Sequence, residues 1–365
     1  MATTRYRLGS MVLTAAAAAA AAAAAVVVWA QPALGACGSW QKIPGAPGVH
    51  GVLADVSASS ATDVWAVGVD DGRTLAERWD GSTWRRVAAP NPGRRSTRVD
   101  KLSAVVAIAP DDAWAVGEFG RRRASLLLHW NGVRWQRRIL PRAARYAALF
   151  DIVAVSAGDV WAVGTSGQAL TLRTLHYDGS RWRVVPAVNR GVHPTFLSVA
   201  ATSSSDVWAV GYSPRTLVEH WDGHAWHLVA ASRWGGPESG VAAISPSDVW
   251  GVGYTQHGQV RVIDHWDGSS WTIAFSAAGV RLNSVAASGP NDAWAVGGVL
   301  LYPGGPTIVH WNGTTWSQSV MPTPGPAFLS SVVDVATTSS YWAVGATYHR
   351  VAHTAYNTPR FEFRC

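Results

Sequence analysis

The chain has 365 residues and a formal net charge of +7 at pH 7, and nearly all of its basic residues are arginine. A moderate positive charge assists contact with anionic surfaces, but by itself it does not indicate nucleic-acid binding. Because the chain also begins with an export signal, we expect no nucleic-acid partner.

The N-terminus has the composition of a secretory signal peptide. A basic start is followed by an apolar, alanine-dominated stretch over residues 11–28 and then by small residues. This pattern predicts cleavage after Ala30 or after Ala36, with removal of the segment rather than a retained membrane anchor. The predicted division is therefore a signal peptide over residues 1–36 and one secreted domain over residues 37–365.

A second interpretation of the export signal involves Cys37. The run Leu34-Gly35-Ala36-Cys37 resembles the lipobox of bacterial lipoproteins, which would place a lipid anchor on Cys37 at the outer surface. Both interpretations place the mature domain outside the cytoplasm, where disulfides persist.

The exported part is built from a repeat. The phrase Asp-Val/Ala-Trp-Ala-Val-Gly occurs seven times, with small departures, at spacings of 42 to 49 residues. About 15 residues after each of the first six copies comes His-Trp-Asp/Asn-Gly-x-x-Trp or a close variant. A repeat of this length, rich in aromatic and β-branched residues, predicts one four-stranded propeller blade per unit. The tryptophans of the first phrase are Trp65, Trp114, Trp161, Trp208, Trp250, Trp294 and Trp342.

The fourth unit shows the predicted strands. We expect them, from the axis outwards, over residues 196–201, 207–211, 216–221 and 226–230. Asp222-Gly223 predicts a hairpin turn between the last two strands, because Asp-Gly supplies the positive φ angles of tight primed turns. Helix should be scarce, since no mature segment shows a 3.6-residue apolar period.

The seventh unit is completed by the other end of the chain. It ends at Cys365 without a Gly-x-x-Trp segment, whereas Gly38-Ser39-Trp40 at the mature N-terminus provides one. We therefore predict an all-β, seven-bladed propeller in which the N-terminal strand pairs into the last blade. Such closure removes the sheet edges that an open array would expose.

Residues present in every unit are predicted to be structural. The tryptophans of the repeat fill the wedge between blades. The histidines of the second phrase lie on different blades and cannot meet at one ion, so we predict no metal site. These histidines are His129, His176, His220, His265 and His310.

Functional residues are predicted on the loops after the second and fourth strands, because these vary whereas the turns after the first and third strands are short and uniform. Binding groups tend to lie on loops held by a rigid scaffold. Trp234 is the sharpest candidate, since the repeat does not require it. The candidates are Arg94, Arg95, Arg121, Arg122, Arg123, Arg142, Arg145, Tyr146, His193, Tyr212, Arg233, Trp234, His257 and Tyr302.

Arginines beside aromatic rings suit the carboxylate, sulfate or phosphate groups of a sugar polymer. The first hypothesis is a secreted, monomeric, non-catalytic module that binds anionic glycans or cell-surface polymers. The alternatives are an extracellular protein-interaction scaffold and a glycan hydrolase or lyase. No catalytic motif or cofactor-binding loop is present. A glycosidase pair could be drawn from carboxylates on the variable loops, but nothing in the sequence singles one out.

The Val-Trp-Ala-Val-Gly and Trp-Asp-Gly-x-x-Trp phrases resemble those of tectonin- and tachylectin-like propellers, and of kelch-like propellers secreted by bacteria. The resemblance covers residues 37–365. It implies a propeller fold and, for the tectonin-like group, binding to sugars and cell surfaces.

The two cysteines generate the first testable prediction. Cys37 precedes the outer strand of the last blade and Cys365 ends its third strand, so a hairpin would bring them within disulfide reach. Such a bond would stabilise the ring by about 4–5 kcal/mol in loop-entropy terms. Mass spectrometry without reduction should find no free thiol. Two free thiols, or a lipid on Cys37, would contradict the pairing.

Overall fold

The computed structural model describes residues 38–93, 100–166, 171–188, 191–232, 235–255, 260–298, 305–321, 325–336, 338–351 and 354–365. These residues form seven four-stranded antiparallel sheets. The innermost strands of neighbouring sheets contact each other in a closed cycle from the first sheet to the seventh and back. The predicted seven-bladed β-propeller is therefore confirmed.

Blades 1 to 6 are each formed by one continuous stretch of the chain. Blade 1 contains β2 (Gly51–Ser60), β3 (Asp63–Asp70), β4 (Arg73–Trp79) and β5 (Trp84–Arg86). Blade 2 contains β6 (Lys101–Ala109), β7 (Asp112–Phe119), β8 (Ala124–Trp130) and β9 (Trp135–Arg137). Blade 3 contains β10 (Ala147–Ser156), β11 (Asp159–Ser166), β12 (Leu172–Tyr177) and β13 (Trp182–Val185). Blade 4 contains β14 (Thr195–Ser203), β15 (Asp206–Tyr212), β16 (Thr216–Trp221) and β17 (Trp226–Leu228).

Blades 5 and 6 follow the same order, whereas blade 7 uses both ends of the chain. Blade 5 contains β18 (Glu238–Ser245), β19 (Asp248–Tyr254), β20 (Val260–Trp266) and β21 (Trp271–Ala278). Blade 6 contains β22 (Leu282–Gly289), β23 (Asp292–Gly297), β24 (Thr307–Trp311) and β25 (Trp316–Gln318). Blade 7 contains β26 (Ala327–Val335), β27 (Ser340–Val351), β28 (Thr354–Arg364) and, as its outer strand, β1 (Gln41–Ile43).

Helix is scarce, as expected. Among the residues that the structure describes, the only helical element is a 3₁₀ turn over Arg142–Ala144. None of the described residues belongs to a helix with the length and apolar character needed to cross a membrane.

The repeated tryptophan of each second strand packs against the next blade. The Trp65 ring in blade 1 lies 4.9 Å from the rings of both Trp130 and Trp135 in blade 2. Equivalent pairs of aromatic rings from the next blade meet Trp114, Trp161, Trp208, Trp250 and Trp342. All seven tryptophans of the first phrase are buried. Their predicted role in filling the wedge between blades agrees with these contacts.

The seam between blades 6 and 7 uses a different set of groups. Trp294 meets Trp40 at 5.3 Å, but the guanidinium of Arg364 lies 4.5 Å from the Trp294 ring, at the position where other blades provide a second aromatic ring. The backbone N–H of Gly38 donates to the carbonyl of Cys365 at 3.1 Å. Cys37 lies outside the described residues, so its disulfide with Cys365 stays a prediction.

Each repeated histidine contacts an aspartate and a tryptophan of its own blade. In blades 2 to 6 the histidine Nε2 lies 2.6–2.9 Å from an oxygen of the aspartate that begins the second strand. Each ring also packs 4.1–4.4 Å from the tryptophan of the same blade. In blade 1, Arg78 replaces the histidine and binds Asp63 at 2.6 Å.

The Asp-Gly turns differ from the predicted primed type. Trp221 pairs with Trp226 across a four-residue loop, and a carboxylate oxygen of Asp222 accepts the backbone N–H groups of His224 and Ala225. Only Gly223 in this loop has a positive φ, at 93°. The aspartate therefore acts through its side chain, because a four-residue connection does not need two left-handed residues.

The glycine that ends the first phrase allows a close approach of the inner strand. Every inner strand has a register shift near its start, and in blade 4 it lies between Phe196 and Ser198. A Cβ atom on Gly211 would lie 2.0 Å from the carbonyl oxygen of Thr195. A side chain at this position is therefore incompatible with the bulged pairing.

This contact leads to a stability prediction. Gly211→Ala should lower the free energy of unfolding by about 1–3 kcal/mol, since the backbone must shift to relieve the overlap. Gly289→Ala is the matched control, because a Cβ on Gly289 meets nothing within 4 Å. Urea denaturation followed by tryptophan fluorescence measures both. Equal effects of the two substitutions would argue against a packing requirement at Gly211.

Candidate functional site

The two faces of the disc differ as the sequence predicted. We name as the loop face the side formed by connections after the second and fourth strands of each blade. The opposite side, the turn face, carries the short turns after the first and third strands. Inner strands begin at the loop face, so the linkers that precede them are exposed there.

Several predicted residues lie outside the part of the chain that the structure describes. They are Arg94, Arg95, Arg233, Trp234, His257 and Tyr302. Their roles stay predictions.

Six predicted residues come from two adjoining segments of the loop face. The first segment, residues 120–123, joins β7 to β8, and the second, residues 138–146, links blade 2 to blade 3. Ser125 ties the segments together: its backbone N–H donates to the carbonyl of Arg145 at 3.0 Å, and its hydroxyl donates to the carbonyl of Ala147 at 2.9 Å. Five of the six, all exposed, form what we call the arginine patch: Arg121, Arg122, Arg142, Arg145 and Tyr146.

The patch arginines are available for a ligand. Within the described part of the chain, none of the four forms an ion pair. Tyr146, which follows Arg145 in the sequence, is 45% exposed and adds an aromatic side chain to the patch. Guanidinium groups bind carboxylates or phosphates through two parallel hydrogen bonds, so this surface suits an anionic partner.

Arg123 has a different role from its two neighbours. Its Nε lies 2.6 Å from one oxygen of the buried Glu118, and Lys101 Nζ lies 3.2 Å from the other oxygen. Burial opposes ionisation of Glu118, but the two cations lower its pKa below the usual value. Arg123 therefore anchors the loop, and no signal in the sequence separates it from Arg121 and Arg122.

Two further predicted residues lie together in blade 4. His193 is exposed, with a φ of 55°, and Tyr212 pairs with Thr195 at the loop-face end of the inner strand. The structure thus brings His193 and Tyr212 near one strand end, separately from the arginine patch on blades 2 and 3.

The glutamates are structural. Glu77, Glu118, Glu219, Glu238 and Glu362 are all at most 3% exposed. A hydrolase needs two accessible carboxylates, and these residues do not provide them.

Two of these glutamates tether linkers between blades. Glu77 Oε2 accepts the backbone N–H of Ala46 at 3.0 Å, and Glu219 Oε2 accepts that of Val188 at 2.9 Å. Asp264 in the equivalent strand position accepts the hydroxyl of Ser232 at 2.8 Å. The sequence analysis missed these tethers, although the acidic residue stands two places before the Trp-Asp-Gly turn in each case.

The inner strands enclose a polar cavity of about 100 Å³ around the axis. Its wall includes Asp55 and Asp151, each placed by the bulge of its strand. Asp55 accepts the backbone N–H of Val105 at 2.8 Å, and Asp151 accepts that of Val199 at 2.8 Å. Each aspartate thus holds its own blade to the next one. Their place on the axis was not identified from the sequence.

Both axial aspartates have raised pKa values. Burial raises the pKa of Asp55 to about 6. Burial, together with the charge of Asp55, raises the pKa of Asp151 to about 7. Among the described residues, no group of three or more His, Cys, Asp or Glu side chains could hold a metal ion.

Solved structures share the fold. A YCF48 structure bound to a D1 peptide has a TM-score of 0.62 and 16% identity, covering 89% of this chain and 97% of that chain. YCF48 from Cyanidioschyzon merolae has a TM-score of 0.61 and 17% identity, covering 89% and 98%. Inactive virginiamycin B lyase from Staphylococcus aureus, with quinupristin, has a TM-score of 0.64 and 12% identity, covering 90% and 99%. At these identities the likeness shows the propeller fold alone.

No protein-family model matches the chain, and no curated protein matches it. The tectonin- or kelch-like type therefore stays a prediction.

The linker tether at Glu219 predicts a pH dependence of stability. Burial raises its pKa from 4.5 to about 7 in the folded protein. Its contribution to stability is therefore full below pH 4.5 and is lost as the pH rises through 7. Glu219→Gln stays neutral and should melt at a higher temperature than the wild type at pH 8, with the difference shrinking towards pH 5.

The control for this prediction has the opposite sign. Because the pKa of Glu118 is lowered, its ionised form is favoured, and Glu118→Gln should lower the melting temperature at pH 8. Tryptophan fluorescence between pH 5 and pH 8 measures both variants. A Glu219→Gln variant that melts below the wild type at pH 8 would refute the assignment.

Proposed function

We propose that this chain is a secreted, non-catalytic protein-interaction module that binds an acidic, extended peptide segment of a partner through its loop face. The observation that carries the proposal is the arginine patch. Its four guanidinium groups are exposed on two segments that Ser125 holds together.

The scaffold suits this role. The two segments of the patch are anchored on blades 2 and 3, so little ordering is needed when a partner binds, and affinity gains from that preorganisation. An acidic peptide offers carboxylates that paired guanidinium groups can bind, and Tyr146 offers a ring against which a side chain can pack. Peptide binding on this fold is seen in the YCF48 structure that contains a D1 peptide.

An anionic glycan is the second candidate, because the same guanidinium groups and tyrosine ring would suit a uronic acid polymer. We do not propose a hydrolase or lyase, since the five glutamates are buried and no pair of aspartates is singled out among the described residues of the loop face.

The decisive experiment removes the patch. A fluorescein-labelled decapeptide of alternating glutamate and serine should bind with an affinity that falls steeply with salt. The variant R121A/R122A/R142A/R145A should bind at least tenfold more weakly, and its salt dependence should be smaller. The readout is fluorescence anisotropy at about 20–300 mM NaCl, a range over which the screening of exposed charges increases.

The matched control changes two arginines on the turn face of the same blades. Arg134 and Arg181 are exposed and lie in the turns after the third strands of blades 2 and 3, so R134A/R181A should bind as the wild type does. Polygalacturonate serves as the competing ligand. If it binds and the peptide does not, the glycan candidate replaces the peptide. No binding of either ligand at low salt would reject the patch as a binding site.

A further inference from the structure

The outer strand of blade 5 is longer than all the other described outer strands. β21 has eight residues, Trp271–Ala278, whereas the outer strands of the other six blades have three or four. It pairs with β20 on one side only and ends its sheet. An outer strand of this length presents a row of main-chain N–H and carbonyl groups to its surroundings.

The chain takes a different path in the other blades. There it leaves the third strand after a short pairing, as in blade 4, where the backbone N–H of Val229 still bonds the carbonyl of Val218 at 2.9 Å before the linker crosses to blade 5. In blade 5, the outer strand instead continues along β20 as far as Val260. Only residues 279–281 then connect it to blade 6.

The composition of β21 also differs. Four of the other outer strands carry a basic side chain: Lys42 in β1, Arg85 and Arg86 in β5, Arg137 in β9 and Arg183 in β13. β21 after Trp271 reads Thr-Ile-Ala-Phe-Ser-Ala-Ala, with neither charge nor proline. Proteins commonly use charge, proline, shortness or a β-bulge to protect an edge strand from pairing. Of these β21 has only a bulge, at Ala274, which leaves Phe275 to Ala278 in continuous register with β20.

A groove runs beside the start of this edge. It has a volume of about 500 Å³ and lies between the linker Val229–Ser232 and the outer part of blade 5, including Trp266 and Trp271. Ile273 contributes to its wall and is 49% exposed. A strand that paired with β21 could place a side chain in this groove.

We propose that β21 is a second binding site, which accepts an extended, uncharged segment of a partner polypeptide as a fifth strand of blade 5. Main-chain hydrogen bonds to β21 would hold the segment, and an apolar side chain in the groove would select it, as in other strand-addition complexes. The site is on the rim of the disc and is independent of the arginine patch.

The occupant that fits is a partner segment rather than a second copy of β21. In a two-fold dimer formed by pairing of two β21 strands, the groove of each copy would have to be filled by a side chain from β21 of the other copy. Ile273 already lines its own groove, and Phe275 packs against the core between blades 5 and 6 with Arg261 over its ring at 5.8 Å. The remaining side chains of the strand after Trp271 are threonine, serine and alanine, which are too small to fill the groove.

The test uses a defined peptide. A fluorescein-labelled, capped nonapeptide of alternating threonine and valine should bind saturably. A matched peptide with N-methyl groups on alternate backbone nitrogens should bind at least tenfold more weakly, because it loses main-chain donors. The arginine-patch variant R121A/R122A/R142A/R145A should bind the uncharged peptide as the wild type does, which separates this site from the proposed function.

Two substitutions locate the binding. Ile273→Lys places a charge on the groove and should weaken binding at least tenfold, whereas Val320→Lys, at a position that is 85% exposed beyond the outer strand of blade 6, should have no effect. Melting temperatures verify that both variants are folded, and Thr272→Lys replaces Ile273→Lys if that variant is not.

Three results would overturn the proposal: no binding of the nonapeptide, equal binding of the N-methylated peptide, or equal binding by the folded Ile273→Lys or Thr272→Lys variant. Light scattering provides the remaining outcome. A dimer that Ile273→Lys dissociates would mean that a second copy, and not a partner segment, occupies the edge.

Discussion

The structure depends on the contact between the tryptophan of each second strand and a pair of rings from the next blade. A blade alone has two apolar faces and cannot bury them, so the wedge between blades must be filled seven times. This requirement explains why the repeat is dominated by tryptophan and why the final interface recruits Trp40 from the opposite end of the chain. It also explains the substitution at the seam, where the Arg364 guanidinium lies over Trp294 and replaces a ring by a cation–π contact.

Close packing of blades determines where the acidic groups lie. Inner-strand bulges and linkers leave backbone N–H groups that need acceptors, and Asp55, Asp151, Glu77 and Glu219 provide them. Burying carboxylates in this way is costly unless they are hydrogen-bonded or neutral, which accounts for their raised pKa values. One consequence concerns the surface. The five glutamates are buried, whereas Arg121, Arg122, Arg142 and Arg145 are exposed at the loop face.

Features that recur in the repeat were predictable, whereas features of single blades were not. Periodicity predicted seven blades, the third strand of blade 4 to the residue, and ring closure by the N-terminal strand, because each depends on a phrase that every unit must contain. The difference in role between Arg123, which binds Glu118, and the exposed Arg121 and Arg122 was not predictable, since it depends on the burial of Glu118 and the position of Lys101. The axial aspartates were missed for a similar reason: a strand bulge aims Asp55 and Asp151 at the cavity, and no alternation pattern in the sequence marks that bulge.

Departures from the repeat are the places where this scaffold can acquire new surfaces. A connection between two strands already held by inter-blade packing adds little to the cost of folding when it lengthens, because loop-closure entropy grows only slowly with length. Blade 5 could therefore extend β21 to eight residues, and the segments around Ser125 could gather arginines, without altering the aromatic contacts that close the ring. These two departures differ in chemistry, one being cationic and the other uncharged with open main-chain groups. If both proposed sites are occupied, one ring holds two unlike polypeptide segments at a fixed separation, because the seven-fold packing fixes the blades that carry them.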